Sequence, residues 1–483
     1  MFGEAQIVRW DSLGLSISFM KGSTMASTLR QARFWRHLPH GLSLLGLLVI
    51  LLTGANLWLQ QPRVPPITDA SFQLTDAREE TATRLGNRLL AVPENSGDDV
   101  QLGTSYLQKA RETGDPSYYY RAEEALSQAL ETRTNPAWLR ARAMTGMGAA
   151  ALGRHEFYEA LEWAQQSIEI DPTYASTYGV LGDAQMELGQ YDDAVESFQT
   201  MLNLKPDLGS YARAARIREL KGDTAGAIEA MKLAMASGSA GTESTAWAQV
   251  QLGNLYFNSG RVDEAVEQYQ AALTEFDGYY LALASLGKAR AAQGDYSEAI
   301  DFLEQAVAVI PQPATLATLG DLYARSGQPD QAQLQYDTVE FIARLAAVNQ
   351  QVYNRELALF YADHDLKLDA ALELSEKELE ARKDIYGYDA LAWSLFKNHR
   401  LSEAVNVINQ AMQLGAQDAS IFFHAGMIYY ALGDLPQSEF YLEKALDLNP
   451  RFSILYSDRA RDLLQEINGK LAPPRNTVAE VAP

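Results

Sequence analysis

The chain has 483 residues, 47% hydrophobic and 21% charged, with a formal net charge of −22. That is ample apolar material for a core, and so acidic a surface is repelled by phosphate backbones, so no nucleic acid partner is expected. There is no cysteine, which excludes disulfides, thiolate catalysis, Cys-ligated zinc and a lipid-modified Cys anchor.

The N-terminal segment 1–41 is basic, with Arg9, Lys21, Arg30, Arg33 and Arg36 against Glu4 and Asp11. Residues 42–59 then carry no charge. As a helix they would span about 27 Å at ~1.5 Å per residue, close to the ~30 Å of a bilayer core. The arginines before this segment place the N-terminus in the cytoplasm and the rest of the chain on the extracytoplasmic side. We therefore expect a single-pass membrane protein, with Trp58 near the outer interface. The alternative is a secreted chain, cleaved near Ala55, where Thr53, Gly54 and Ala55 are small residues suited to a signal peptidase. Residues 60–97 form a linker, extended at Pro62, Pro65 and Pro66 because proline restricts itself and the residue before it.

From residue 98 the chain repeats. Leu252, Gly253 and Tyr256 are followed by Ala265 and Tyr269. Leu319, Gly320 and Tyr323 are followed at the same offsets by Ala332 and Tyr336. Leu286 and Gly287 lead to Ala299 and Leu303, Leu181 and Gly182 to Ala194 and Phe198, and Gly426 to Ser438 and Leu442. Gly189, Gly222, Gly260, Gly294, Gly327 and Gly433 fall between the two halves of their units, where a left-handed residue ends a helix. Pro172, Pro206, Pro311 and Pro450 close units. Each unit reads as two antiparallel helices: a small residue on the first lets the second approach, and an aromatic or leucine on the second fills the groove.

This spacing resembles the tetratricopeptide repeat, a 34-residue unit with L-G-x₂-Y, then A-x₃-F, then P. The resemblance implies an all-α fold, a right-handed superhelical solenoid of about ten helix-turn-helix repeats over 98–467, preceded by the one transmembrane helix. Units begin near residues 141, 175, 208, 246, 280, 313, 351, 385 and 419, after an irregular pair over 98–132. That pair and the unit at 141 read as having lengthened loops between their helices. A flexible loop covers 237–244, a lengthened helix 341–349, a solubilising cap helix 454–467, and a disordered tail 468–483. Stretches 110–116, 389–393 and 424–428 are similar to bacterial multi-repeat tetratricopeptide proteins of unassigned role with an N-terminal anchor.

Little points to catalysis. Gly146, Gly148 and Ala151 match a dinucleotide-binding string, but a helical pattern runs through them where a strand should precede. Phosphate-loop, zinc-protease and nucleophile-elbow motifs are absent from the sequence. No cofactor and no enzyme activity is expected. Asp363, His364 and Asp365, with Asp369 nearby, form a metal-like cluster that reads equally as a polar turn, and no metal is assigned to it.

In such arrays the first helices line the concave side. Their open positions lie three residues before the repeat's small residue and one, four and five after it. These, with Trp247 six residues before Gly253, give a tentative protein-binding groove of Trp247, Asn254, Phe257, Lys288, Arg325, Trp393, Phe396, Phe423 and Tyr430. Aromatics beside cations are the usual anchors of protein interfaces. The sequence thus predicts a membrane-anchored scaffold or assembly factor that binds proteins or peptides. The alternative is an exported accessory subunit of a transporter or enzyme, carrying a metal or small ligand.

Overall fold

A computed structural model describes residues 96–132, 134–348 and 354–471. The chain divides into two units, 1–72 and 73–483, and every described residue lies in the second. The proposed anchor at 42–59, the linker up to 95 and the tail from 472 lie outside the described residues. Among those described, all regular structure is helical and no helix is long and apolar enough to cross a membrane.

Helices pair in chain order. The first pairs are α1 (Ser96–Thr113) with α2 (Ser117–Glu131), α3 (Ala137–Gly153) with α4 (Phe157–Ile170), and α5 (Ala175–Glu187) with α6 (Tyr191–Leu204). Then come α7 (Leu208–Leu220) with α8 (Thr224–Ala236), α9 (Glu243–Asn258) with α10 (Val262–Glu275), and α11 (Tyr280–Gln293) with α12 (Tyr296–Val309). The last are α13 (Pro313–Arg325) with α14 (Pro329–Val348), α15 (Asn354–Asp363) with α16 (Leu368–Ala381), α17 (Ile385–Lys397) with α18 (Leu401–Ala411), and α19 (Ala419–Leu432) with α20 (Leu435–Leu448). A single helix, α21 (Ser457–Leu471), closes the array.

The residue types of the repeat have direct steric causes. A methyl group added at Gly253 would collide with the Tyr269 ring, one at Gly182 with Phe198, and one at Gly320 with Tyr336. Ala194, Ala265 and Ala299 are fully buried on the second helices. The expected long loops in the first two pairs are absent. Only residues 114–116 and 154–156 separate those helices, and the extra residues lengthen α1 and α3 instead. A few more residues continue a helix at little cost because each adds its own backbone hydrogen bond. His155 and His399, with φ of 64° and 60°, take the left-handed turn that glycine occupies elsewhere.

The sequence pattern does not reveal that the array returns upon itself. The turns at Gly189, Gly222 and Gly260 face the carbonyl oxygens of Lys383, Gly415 and Leu448. The Lys383 N–H donates to the Glu187 carbonyl at 2.9 Å. The Ile385 N–H donates to the Tyr191 hydroxyl at 3.0 Å, across 194 residues of chain. Asn449 Nδ2 donates to the Phe257 carbonyl at 2.8 Å, across 192 residues. Tyr191 and Leu220 share one apolar core cluster with Ile385, Ala416 and Ile421. A seam therefore joins the turns of the earlier repeats to the connecting loops of the later ones.

Two glycines give the seam a test. Gly222 and Gly294 both have positive φ, 79° and 89°, but a Cβ at 222 would lie 2.5 Å from the Gly415 carbonyl oxygen and one at 294 would meet nothing. Gly294→Ala should cost only the left-handed penalty of about 1–2 kcal/mol. Gly222→Ala should cost that plus an overpacking loss of about 1–3 kcal/mol. Denaturant unfolding of the two variants side by side reads the difference.

Candidate functional site

Closure of the array leaves an interior cavity of about 1430 Å³, open to solvent. Its walls are mainly first helices: α7, α9, α11 and the start of α13, with Asp183 and Met186 from α5. Arg111 from α1, Tyr386 from α17 and Phe452 from the loop before α21 complete them. A second cavity of about 540 Å³ shares Phe257, Lys288, Ala314 and Phe452 with the first. The two cavities adjoin at these residues, and Lys288 lines both.

The charges on the larger cavity's walls are mostly paired. Arg213 Nη2 lies 2.6 Å from Asp183 Oδ2, and Arg216 Nη1 lies 2.7 Å from Glu219 Oε2. Lys205 pairs with Asp207 at 3.0 Å, and Arg111 with Glu243 at 3.4 Å. The buried Glu243 also accepts from the Tyr279 hydroxyl at 2.8 Å. Lys288 is the remaining cation of this wall, and no carboxylate among the described residues pairs with it. Water reaches its side chain inside the cavity, yet protein surrounds it, and this desolvation holds its ammonium below the ordinary lysine value of 10.5.

The sequence-derived groove residues divide into three groups. Trp247, Asn254, Phe257 and Lys288 line the larger cavity. Asn254 is held there by the Tyr269 hydroxyl, which donates to its Oδ1 at 2.9 Å. Arg325 lines the smaller cavity but is engaged by Asp458 at 2.5 Å and by the Ile454 carbonyl at 3.1 Å. Trp393 and Phe423 are corrections: they are 1% and 0% exposed and belong to the core, not to an open groove. Phe396 is half-buried against Trp393, with ring centroids 4.8 Å apart. The Tyr430 hydroxyl donates to Glu466 of α21 at 2.6 Å, so the closing helix covers part of this face. The physical reason for these departures is that the loop at 449–456 and α21 pack onto the last first helices, occupying the side that counting along one repeat leaves open.

Sequence reasoning missed Asp183, Arg213, Arg216, Glu243, Tyr386 and Phe452. Two of them were within reach. Asp183 and Arg216 follow the small residues Gly182 and Ala215 by one position, as Asn254 follows Gly253 and Lys288 follows Gly287. The others enter through arginine geometry or from distant repeats.

Beneath the C-terminal repeats lies a buried polar cluster. The Asp363 carboxylate accepts from Trp393 Nε1 at 2.8 Å and from the Tyr456 hydroxyl at 3.0 Å. His364 Nε2 lies 2.7 Å from Asp321 Oδ1, while Asp365 pairs with Lys397 at 2.7 Å. The three side chains of the metal-like turn thus engage three separate sets of partners. His424 lies 2.8 Å from Asp389 and stacks on Trp393 with centroids 4.2 Å apart.

This cluster makes stability pH-dependent. Burial opposes the charged form of both histidines, but Asp321 and Asp389 outweigh it and raise His364 and His424 above 6.5. A raised histidine contributes stability that is complete below its unfolded value and is lost as pH rises through the folded one. Burial raises Asp363 as well, which acts in the same direction. Stability should therefore fall as pH rises above the histidine reference of ~6.5. Urea midpoints across this rise should flatten in the His364→Gln/His424→Gln double variant.

Tetratricopeptide repeat models match residues 163–196, 180–241, 250–313, 290–350 and 419–452. Among curated proteins, the chain is similar to the human protein O-mannosyl-transferase TMTC1, 26% identical over 237 residues, which is 46% of this chain and 26% of that protein. It is also similar to the small glutamine-rich tetratricopeptide repeat-containing protein 2 of Mycosarcoma maydis, 33% identical over 112 residues, or 23% of this chain and 30% of that one. The chain thus spans a third or less of the length of these two relatives. Among solved structures, human IFIT1 with PPP-AAAA gives a TM-score of 0.42 at 16% identity, covering 76% of this chain and 94% of that one. A thermophilic repeat protein of Thermus thermophilus, TTC0263, gives 0.33 at 18% identity, covering 44% and 100%. Helix pairs at a 34-residue period, the glycine–aromatic contact within each pair and the family models agree, and this chain is a tetratricopeptide repeat protein.

Proposed function

We propose that the protein is a membrane-tethered scaffold that holds an extended segment of a partner protein inside a channel made of the two adjoining cavities, on the extracytoplasmic side. The observation that carries this reading is the cavity of about 1430 Å³ walled by first helices. It exceeds the ~300–1,000 Å³ of ordinary small-molecule pockets, and an extended chain fills it better. Trp247, Phe257 and Phe452 supply apolar contact, while Gln251, Asn254 and Ser285 supply hydrogen bonds for a peptide backbone. The uncharged stretch 42–59 and the arginines before it support the tether and its orientation.

Ala314 lines both cavities and is exposed to their interior. Ala314→Trp should fill the channel without disturbing the core. Tagged wild-type and variant chains would be purified from membranes and their co-purifying proteins compared by mass spectrometry. The reading expects a partner lost from the variant while the melting temperature is unchanged. An identical partner set in both would contradict it. Protease added outside intact cells should digest the repeats, and their protection would contradict the orientation.

A further inference from the structure

Lys288 sets the chemistry of the channel, and this inference rests on the channel reading above. The larger cavity's wall carries Arg111, Lys205, Arg213, Arg216 and Lys288 against Asp183, Asp207, Glu219 and Glu243. Each acid is matched to one of the first four cations. What remains on this wall is a single positive charge, while the smaller cavity, which Lys288 also lines, adds Arg325, Arg451 and Arg461 against Asp321, Glu356, Asp363 and Asp458. Lys288 lies in the interior of a protein whose formal net charge is −22. An ammonium that water reaches inside a cavity, with protein around it and no carboxylate beside it, is open to a ligand of opposite charge, and their attraction there is stronger than in bulk water.

Position narrows the ligand. Lys288 lies where the two cavities meet, with Phe257, Ala314 and Phe452 shared on both sides. A chain threaded through the channel presents a side chain at this point, and its termini fall elsewhere. The shared rings of Phe257 and Phe452, with Trp247 and Leu281 farther in, favour apolar neighbours for that side chain. We propose that Lys288 is the specificity-determining residue of the channel, and that it selects an extended peptide segment with one internal Asp or Glu flanked by apolar residues. The outer acidic surface repels such a segment at long range, and salt weakens this repulsion more than it weakens a sheltered pair.

The probe is an immobilised library of acetylated, amidated nonapeptides with apolar residues around a central Glu, Asp, Gln or Lys. One further set has central Gln and a free C-terminal carboxylate. The purified wild-type protein should retain the Glu and Asp sets over the Gln set by about tenfold or more, as a charge-assisted hydrogen bond in a sheltered site implies. Lys288→Met should abolish that ratio, and Lys288→Glu should shift preference to the central Lys set. Because Lys288 has no ion-pair partner to lose, Lys288→Met should leave the melting temperature unchanged or raised. A Glu-to-Gln ratio near one in wild type, or a ratio surviving in Lys288→Met, would overturn the proposal while leaving the scaffold intact. So would a free C-terminus that replaces the central acid fully. Retention of no peptide of any composition would instead sink the channel reading itself.

Discussion

Trp393→Ala should lower stability by about 3–5 kcal/mol, the range of buried Trp and Phe truncations. The indole is 1% exposed and lies between Phe396 and His424, stacked on both at 4.8 and 4.2 Å. Its Nε1 donates to Asp363 at 2.8 Å. Alanine removes the ring contacts, opens a cavity and deprives a buried carboxylate of a donor, so transfer, cavity and polar losses act together. Trp393→Phe keeps much of the volume and should cost less than half as much, chiefly through the Asp363 bond. Trp247→Ala offers the contrast, because that ring is only partly buried and faces the cavity. Thermal and urea unfolding of the three variants would separate core from cavity wall.

Arg382→Met should be the second large loss, about 3–5 kcal/mol as for a broken buried ion pair. The Arg382 guanidinium, just past the end of α16, lies 2.8 Å from Glu187 across the seam and 3.3 Å from Glu378 in the last turn of α16. It also covers the Phe157 ring at 4.9 Å. Burial already pushes the Glu187 and Glu378 carboxyls up despite the arginine. Without it both take up protons more readily, so the variant should lose more stability at alkaline than at acidic pH. Arg382→Lys should rescue poorly, since an ammonium cannot span two carboxylates and a ring. Equal losses at both pH values would contradict this account.

The repeat was legible because its rules are local. Gly253 and Tyr269 are sixteen positions apart, and their contact depends only on how two neighbouring helices cross. The left-handed turns at Gly189, Gly222 and Gly260 were legible for the same reason. Their second role, admitting the carbonyls of Lys383, Gly415 and Leu448, was not. It depends on small rotations summed over several repeats, and no local pattern encodes that sum. The candidate site shows the same division. Counting from the repeat's small residue places Asn254 and Lys288 on the cavity wall, and applied to earlier units it also places Asp183 and Arg216. The same count fails at Trp393 and Phe423, because Tyr456 and the closing helix come from outside the unit that was counted.

The central claim is that the array closes along this seam and so encloses the channel. Lys221 and Gln417 are exposed, and a Cβ at the neighbouring Gly222 would lie 3.6 Å from the Gln417 amide nitrogen. The chain has no native cysteine, so a Lys221→Cys/Gln417→Cys variant carries one reactive pair. Treated with a short bismaleimide at low protein concentration, it should give an intramolecular cross-link in nearly every molecule, located by peptide mass spectrometry. An open array, with these positions held apart, would give singly modified chains and no cross-link.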